Sequence, residues 1–421
     1  MQEDHAADPS ALTPVQLAVL QSVAPDWRHD PYRSYAVLRE AGPFIPGPLG
    51  TRLVPGYHEA NLIMQNPDWS HAEESELLHP DSDVELPGSF LWMEPPDHTR
   101  LRGLVSKAFT MRTIEGLRGR TEQVVADLFD KLLAEGGDHP VDILEALAYP
   151  LPLTMVCELL GVPAEAHDEV RQMSAGIARG LDPDVLLSPA ELAARTAAVH
   201  RFRDFFGDLI AQRRKAPQDD LITRLVRAEA DGATMSPTEL LGTLLILVVA
   251  GHETTVNLIG NGVLALIRDP DQFALLKSNP DLAVAAADEV LRYDAPVHLT
   301  TRTARTEITV SDQVFAPGEA VIVLFGSANR DPRAFPEPDR FDITRYAAGN
   351  RANRHLSFGL GLHYCIGAPL ARLEMEMALR AIATRVAAFD LPHDPPPYRP
   401  NLVVRGMSEL LVRVTPEEPT R

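Results

Sequence analysis

Residues Phe358 to Gly367 read FGLGLHYCIG, and the amphipathic stretch APLARLEMEMALRAIATRV follows directly. This order places one cysteine, Cys365, at the N-terminus of a predicted helix. There its thiol faces unpaired backbone N–H groups and the positive end of the helix dipole, and both are expected to lower its pKa and favour the thiolate that binds metals. Gly359 and Gly361 are expected to let the backbone pass close to a flat partner, and Gly367 to admit a close approach on the far side.

The surroundings of Cys365 favour a single bond to a metal. No second Cys or His stands at zinc spacing nearby, which argues against a tetrahedral zinc site. One thiolate on a glycine-lined loop suits a single axial bond to haem iron. The other cysteine, Cys157, lies in the apolar stretch LPLTMVCELLGVP and is predicted to be a small buried side chain. Two isolated cysteines form no disulfide framework, which indicates a reducing compartment.

A second stretch, SPTELLGTLLILVVAGHETTVNLIGNGVLALIR from Ser236 to Arg268, predicts a long central helix. Ser236 is a suitable N-cap, Pro237 occupies the first helical position, and Glu239 completes a capping box. The helix should run about 32 residues, or roughly 48 Å, before Asp269-Pro270. Because it is apolar nearly all round, it must lie buried through the centre of the molecule.

The middle of this helix, AGHETT, contains polar residues that need an explanation. Ala250 and Gly251 leave a shallow groove where a planar cofactor or O2 could approach. Glu253 is costly to bury unless it has a partner or a role, and the Thr254 hydroxyl can bond back to the helix. His252-Glu253 also begins a HExxH pattern, but Val256 stands where the second histidine is needed, so a zinc protease is excluded.

Composition limits the partners and the location. With 39 Lys+Arg against 59 Asp+Glu, the formal charge of −20 repels nucleic acid and anionic lipid. The polar, acidic N-terminus does not resemble a signal peptide, and the apolar run is too short to span a bilayer, so we expect a cytoplasmic protein without a membrane partner. No linker divides the chain, which predicts a single domain over 1–421, with a partly flexible segment 1–30 and a tail 415–421. The final stretch LVVRGMSELLVRV reads as a hairpin.

The cysteine loop closely resembles the cysteine-ligand loop of the cytochrome P-450 family, with matches at Phe358, Gly361, His363, Cys365 and Gly367. The resemblance extends from about Pro31 to Val414. It implies a mainly α fold with a small β-rich lobe (α+β), the triangular prism of that family built around a long buried central helix. The implied cofactor is haem b (iron protoporphyrin IX), with Cys365 as the metal ligand.

The same resemblance implies roles for further residues. Glu253 and Thr254 match the acid–alcohol pair that relays protons to bound dioxygen. Partners for the two haem propionates are His98, Arg102, Arg302 and His363. A buried structural charge network behind the cysteine loop is expected from Glu289, Arg292 and Arg340.

The predicted substrate pocket is mostly apolar and indicates a hydrophobic small molecule. Its expected lining, besides the segment Pro87–Trp92, is Leu247, Ala250, Val297, His298, Leu299, Val403 and Val404. His298 could orient a polar group of the substrate, or only bond to backbone. A mobile lid is expected near Gln172–Arg203.

The resemblance implies a monooxygenase of secondary metabolism that inserts one atom of O2 into its substrate by hydroxylation or epoxidation. Because the chain carries no reductase, electron transfer should come from a ferredoxin and an NAD(P)H-dependent ferredoxin reductase. The basic residues expected to receive the ferredoxin are Lys107, Arg112, Arg351, Arg354 and Arg372. Two alternatives stay open: a peroxygenase driven by peroxide, and a non-catalytic haem-binding or sensor protein.

Overall fold

The computed structural model describes residues 12–72, 78–79, 88–136, 139–230 and 235–418. The segment 1–30 was predicted to be partly flexible. Its first eleven residues lie outside the described residues, and the rest of it contains the helix Pro14–Val23. The predicted tail 415–421 is described up to residue 418, and its first two residues end a strand.

Helices dominate the described residues. In chain order they are α1 Pro14–Val23, α2 Tyr32–Ala41, α3 Tyr57–Gln65, α4 Asp97–Ser106, α5 Met111–Glu135, α6 Pro150–Leu160, α7 His167–Arg179, α8 Pro189–Lys215, α9 Leu221–Ala230, α10 Pro237–Arg268, α11 Pro270–Ser278, α12 Ala283–Tyr293, α13 Phe325–Ala328 and α14 Ala368–Arg385.

Within the described ranges the strands form three small sheets. They are β1 Ile45–Pro46, β2 Arg52–Val54, β3 Trp69–Ser70, β4 Val141–Asp142, β5 Leu299–Ala304, β6 Ile308–Val310, β7 Gln313–Phe315, β8 Ala320–Leu324, β9 Val386–Asp390 and β10 Leu411–Pro416. The largest sheet has the order β1-β2-β8-β5-β3, and only its β2/β8 pair is parallel. The others are β4-β10-β9 and the hairpin β6-β7.

Helix α10 is the predicted central helix, and its capping box is confirmed. Ser236 donates its backbone N–H to Oε2 of Glu239 at 2.6 Å, and Glu239 donates its own to Oγ of Ser236 at 3.2 Å. Among the described residues, α10 alone is long and apolar enough to cross a membrane, but 83% of its most apolar stretch is buried inside the molecule. This degree of burial is typical of a helix in the core of a protein.

Two apolar clusters meet along α10. The C-terminal half of the helix packs with residues of α5, α12 and α14, and the N-terminal half packs with residues of α6, α7 and α8. The large sheet and the first two helices form further clusters beside them. The predicted fold class, mainly α with a small β-rich lobe, is therefore confirmed.

The hairpin predicted for the last stretch of the chain is wrong. Strand β10 pairs with β9 through Val414 and Phe389, and with β4 through Leu411 and Asp142. Residues before β10 instead form isolated bridges, including Val404 with Val297. Since both partners of β10 come from distant parts of the chain, local alternation could not reveal the pairing.

Candidate active site around Cys365 and the central helix

The Cys365 loop is closed by a backbone hydrogen bond from the N–H of Cys365 to the carbonyl of Phe358 at 2.9 Å. Gly359 and Gly361 have φ values of 64° and 65°, which disfavour any other residue. A Cβ at Gly361 would also lie 2.7 Å from the backbone oxygen of Met64 in α3. These glycines therefore set the turn and dock it on α3, whereas only Gly367 lies beside the sulfur, at 3.9 Å from its hypothetical Cβ.

The thiol of Cys365 lies in the electrostatic setting that the sequence predicted, but the net effect differs. Burial raises its pKa above the ordinary value, and the backbone N–H groups of Gly367 and Ala368 and the charge of Arg102 only partly oppose this. The expected lowering is therefore wrong for the protein by itself, because desolvation is the larger effect. A metal bonded to the sulfur deprotonates such a thiol outright.

The central helix has one open face in an otherwise buried surface. Ala250 is exposed and Thr254 is half-buried, while Val249 and Val256 are at most 1% exposed. The Thr254 hydroxyl donates to the carbonyl of Ala250 at 2.6 Å, as predicted for a threonine at this position. Ala250 and Thr254 therefore border a cleft in the middle of the molecule.

Gly251 does not border this cleft in the way that the sequence suggested. A Cβ built on it would lie 3.2 Å from the Val156 side chain of α6. The glycine therefore lets α6 approach the central helix, and of the two residues predicted to leave a groove Ala250 is the exposed one.

Glu253 and His252 are both buried on the central helix, at 2% and 0% exposure. Burial raises the pKa of Glu253 to about 7, although the charge of Arg171 opposes the rise. Burial lowers the pKa of His252 to about 3, and its Nδ1 lies 3.4 Å from the Ser174 hydroxyl. The ion-pair partner of Glu253 is Arg399, whose Nη1 lies 3.1 Å from Oε2, and no sequence motif predicts this long-range contact.

The predicted propionate partners lie in one cluster. The ring centroids of His98 and His363 are 4.6 Å apart, and both nitrogens of His98 are buried without a hydrogen-bond partner. Arg102, one turn after His98, donates to the carbonyl of Tyr364 beside Cys365. Burial is the main cause of the lowered pKa of His363, and the nearby charge of Arg302 lowers it further.

Two further members of this cluster were missed. Glu94 accepts from Nε2 of His363 at 3.2 Å and from the backbone N–H of His71 at 2.8 Å. Burial acts to raise the pKa of Glu94, but these hydrogen bonds prevail and lower it to about 2. The ring of His71 lies 5.4 Å from that of His363. Neither residue stands in a stretch that the sequence marks as unusual.

The buried charge network behind the cysteine loop has a different third member from the one predicted. Arg292 and Glu289 pair at 2.8 Å with both side chains fully buried. The second arginine on Glu289 is Arg345, at 3.1 Å, whereas the Arg340 side chain is 55% exposed and pairs with Glu337. Arg340 contributes only its backbone carbonyl, which accepts from Arg292.

The pocket prediction is partly corrected. Val297 pairs with Val404, and the carbonyl of Val403 accepts from the backbone of His298, so these segments do come together. The His298 side chain turns away instead, with Nδ1 3.1 Å from the Tyr35 hydroxyl and the ring against Gly326.

Other residues predicted to line the pocket pack in the apolar clusters of the core. Leu299 is buried with Leu324 beside α1 and α2, in the cluster that also holds Val403, and Leu247 is buried one turn before Ala250. Within the segment Pro87–Trp92, Pro87 lies outside the described residues and Phe90 is buried against the cluster of Leu247.

The predicted lid contains the connection between α7 and α8. Asp182 in this connection is 1% exposed, and its carboxylate accepts the backbone N–H groups of Leu402 and Val403, each at 2.8 Å. The connection is thus fastened to the C-terminal segment that holds Val403.

The chain belongs to the cytochrome P450 family, because the family model described as "Cytochrome P450" matches residues 55–405. It is 38% identical over 409 residues to 6-deoxyerythronolide B hydroxylase of Saccharopolyspora erythraea, covering 92% of this chain and 96% of the relative. It is 39% identical over 406 residues to the cytochrome P450 monooxygenase PikC of Streptomyces venezuelae, covering 94% and 93%. Ligand-free CYP164A2 of Mycobacterium smegmatis superposes with a TM-score of 0.86 at 37% identity, covering 94% of this chain and 99% of the other. The predicted class, an oxygenase, is therefore confirmed.

The family implies a haem, and the residues present fit one. The Cys365 sulfur accepts hydrogen bonds from backbone N–H groups. Ile366 beside it packs against the apolar cluster that contains the N-terminal half of the central helix. Nearby, His98 has two buried ring nitrogens without protein partners, next to the guanidinium of Arg102. A thiolate for iron and buried donors for carboxylates are what a haem requires.

The charge network predicts unequal effects for two neighbouring arginines. Arg345→Met should lower the free energy of unfolding by about 3 kcal/mol, because it leaves part of the buried Glu289 charge unpaired. Arg340→Met, the matched control, removes an exposed pair and should change it by less than about 1 kcal/mol. Urea unfolding of both variants measures this, and equal losses would contradict the assignment of Arg345.

Glu253 predicts a pH-dependent stability. Its pKa in the folded protein, about 7, lies above the ordinary 4.5. The folded state therefore binds the proton more strongly, and stability falls as the pH rises from about 4.5 to 7. Glu253→Gln lacks this titration and also the ion pair with Arg399, so its stability relative to wild type should rise by up to about 3 kcal/mol between pH 4.5 and pH 8. Thermal unfolding at both pH values, with the exposed Glu145→Gln as control, tests this; a gain independent of pH would refute it.

Proposed function

We propose that this protein is a ferredoxin-dependent haem b monooxygenase that hydroxylates or epoxidises a lipophilic small molecule in the cytoplasm, acting as a single domain. The observation that carries the proposal is the presence of both a single loop cysteine and an acid–alcohol pair on the central helix. Cys365 receives backbone N–H groups at the start of α14, while Thr254 lies at the open face of α10 and Glu253 is buried next to it in sequence.

The haem, when bound, supplies the iron at which dioxygen is activated, and the Cys365 thiolate is its electron-donating ligand. The loop holds the sulfur through the bond from its N–H to Phe358 and through the N–H groups of Gly367 and Ala368. His98, Arg102, Arg302 and His363 would hold the propionates.

Two side chains of α10 would handle protons. The Thr254 hydroxyl, now donating to Ala250, can turn its proton into the cleft. With a pKa of about 7, the Glu253 carboxyl can both hold and release a proton at neutral pH, as an efficient general acid requires. The apolar pair Val297 and Val404 would help exclude water.

The substrate proposal follows from the apolar residues and from the relatives. Names of relatives refer to polyketide biosynthesis in PksS of Bacillus subtilis and to vitamin D(3) in a 25-hydroxylase of Pseudonocardia autotrophica. We expect a substrate of this lipophilic kind, from secondary metabolism. His298 has no role in binding it, because its side chain faces Tyr35.

The buried acid–alcohol pair favours dioxygen over peroxide as the oxidant. A peroxygenase receives its oxygen already reduced and can dispense with proton delivery. Here a carboxyl is kept on the central helix despite the cost of burying it.

Cys365→Ser tests the ligand. The wild type, reduced with dithionite and exposed to carbon monoxide, should show the strongly red-shifted Soret band of a thiolate-bound haem. The variant should lose this band, because a serine hydroxyl is a weaker donor. Cys157→Ser is the control and should keep the band, since Cys157 is buried in the core. A red-shifted band in Cys365→Ser would refute the assignment.

Charge reversal tests the ferredoxin site. Lys107, Arg112, Arg351 and Arg354 are exposed, while Arg372 is half-buried against Asp288 and is less available. The double variant Arg112→Glu, Arg351→Glu should slow haem reduction by a [2Fe–2S] ferredoxin under carbon monoxide about tenfold or more.

The control arms separate docking from damage to the haem. Reduction of the double variant by dithionite should stay at the wild-type rate, and Arg201→Glu on α8 should leave both rates unchanged. An undiminished ferredoxin rate in the double variant would refute this docking face.

A further inference from the structure

The connection between α7 and α8 holds a buried carboxylate that the proposed chemistry does not use. Asp182 is 1% exposed, although Val185 and Leu186 in the same connection are exposed. A buried carboxylate is stable only with partners that replace its water. Here these partners are backbone N–H groups of a distant segment and the guanidinium of an arginine.

The Asp182 carboxylate binds two consecutive backbone N–H groups. The N–H of Leu402 donates to its Oδ2 and the N–H of Val403 to its Oδ1, each at 2.8 Å. Arg179 also pairs with Asp182, but this guanidinium has a further carboxylate partner in Glu191, at 2.8 Å. Asp182 therefore fastens two peptide groups of the C-terminal segment to the connection.

The peptide groups of Val403 continue this contact towards β5. The N–H of Val403 donates to Asp182, and its carbonyl accepts from the N–H of His298 at 3.1 Å. His298 immediately precedes β5. The neighbouring residues Val404 and Val297 form an isolated bridge. A displacement of Asp182 would thus be felt in both segments that were predicted to line the pocket.

Other groups hold the two ends of the segment 400–405. The carbonyl of Pro400 accepts from Nε of Arg28 at 3.3 Å, and the N–H of Arg405 donates to the carbonyl of Pro296 at 2.8 Å. The Arg405 side chain also pairs with the buried Asp294. The part of the segment that depends on the connection is therefore its middle.

We propose that Asp182 is a positioning residue that fixes Val403 at the pocket and makes this wall of the pocket move together with the α7–α8 connection. The inference goes beyond the proposed function, because it concerns the size of ligand that the cleft accepts. Separating the wall from the connection would leave a carboxylate and two N–H groups without partners, which is unfavourable. A bulky ligand that presses on Val403 must therefore move the connection as well, whereas a small ligand need not.

Hydrogen–deuterium exchange resolved to single amides is the first test, with Asp182→Asn, which keeps the shape of the side chain but replaces one acceptor by a donor. The amides of Leu402 and Val403 should exchange about tenfold faster than in wild type. The amide of His298 should also exchange faster, because its acceptor is the carbonyl of Val403. The amide of Arg405 should be unchanged, since its hydrogen bond does not involve Asp182.

Glu191→Gln is the matched control, because it removes the other carboxylate on Arg179 and leaves Asp182 in place. It should exchange like wild type at all four amides. Unchanged exchange at His298 in Asp182→Asn would overturn the proposal.

The wild type alone provides the same test if Asp182→Asn does not fold. Clotrimazole, an imidazole with a bulky triphenylmethyl group, should change exchange in the α7–α8 connection and at Val403 together. A change at one place without the other would overturn the joint movement.

Ligand size is the second test, in the haem-loaded protein, through the shift of the Soret band when an imidazole nitrogen binds the iron. Clotrimazole should bind Asp182→Asn about tenfold more tightly than wild type, because the released wall yields without the connection. Imidazole itself, which needs only the iron, should bind both within about twofold. Glu191→Gln should bind both ligands like wild type.

The outcomes separate this inference from the proposed function. Unchanged or weaker clotrimazole binding in Asp182→Asn, or an equal change for imidazole, would overturn the role of Asp182 in selecting ligands by size. A wild type without any Soret shift would refute the proposed haem function, while the exchange results in the variants would still decide the role of Asp182.

Discussion

Burial of a 32-residue apolar helix is the constraint on which the rest of the structure depends. Such a helix needs cover on every side, and α5, α12 and α14 at one end with α6, α7 and α8 at the other provide it. Each polar atom on it then needs a partner within reach. Thr254 finds one in its own helix, whereas Glu253 depends on Arg399, from a segment 146 residues later in the chain.

Behind the cysteine loop the same requirement is met by a complete network. The carboxylate of Glu289 accepts from Arg292, from Arg345 and from the backbone N–H of Asp342. Arg292 in turn donates to three backbone carbonyls. A fully buried ion pair is stable only when its remaining hydrogen-bonding capacity is used, so these contacts stabilise it as a unit.

What the sequence could predict depended on the range of each interaction. The capping box of Ser236, the burial of Cys157 and the bond of Thr254 to its own helix are local, and each is observed. The partners of charged side chains are not local. Arg340 and Arg345 stand five residues apart in one loop, and only the folded path of that loop decides which reaches Glu289. Likewise, His298 faces Tyr35 because of how the chain approaches β5, which alternation alone does not reveal.

The histidine cluster shows why arginines are needed beside the imidazoles. Burial lowers the pKa of His98 to about 4 and lowers that of His363 against the opposing effect of Glu94, which disfavours the charged form of both rings. The positive charge there comes from Arg102 and Arg302. Guanidinium groups stay charged even when burial lowers their pKa. Two carboxylates, as the haem of this family carries, would therefore meet two fixed guanidinium charges. Those two charges do not change across physiological pH, which a cluster of histidines alone could not achieve.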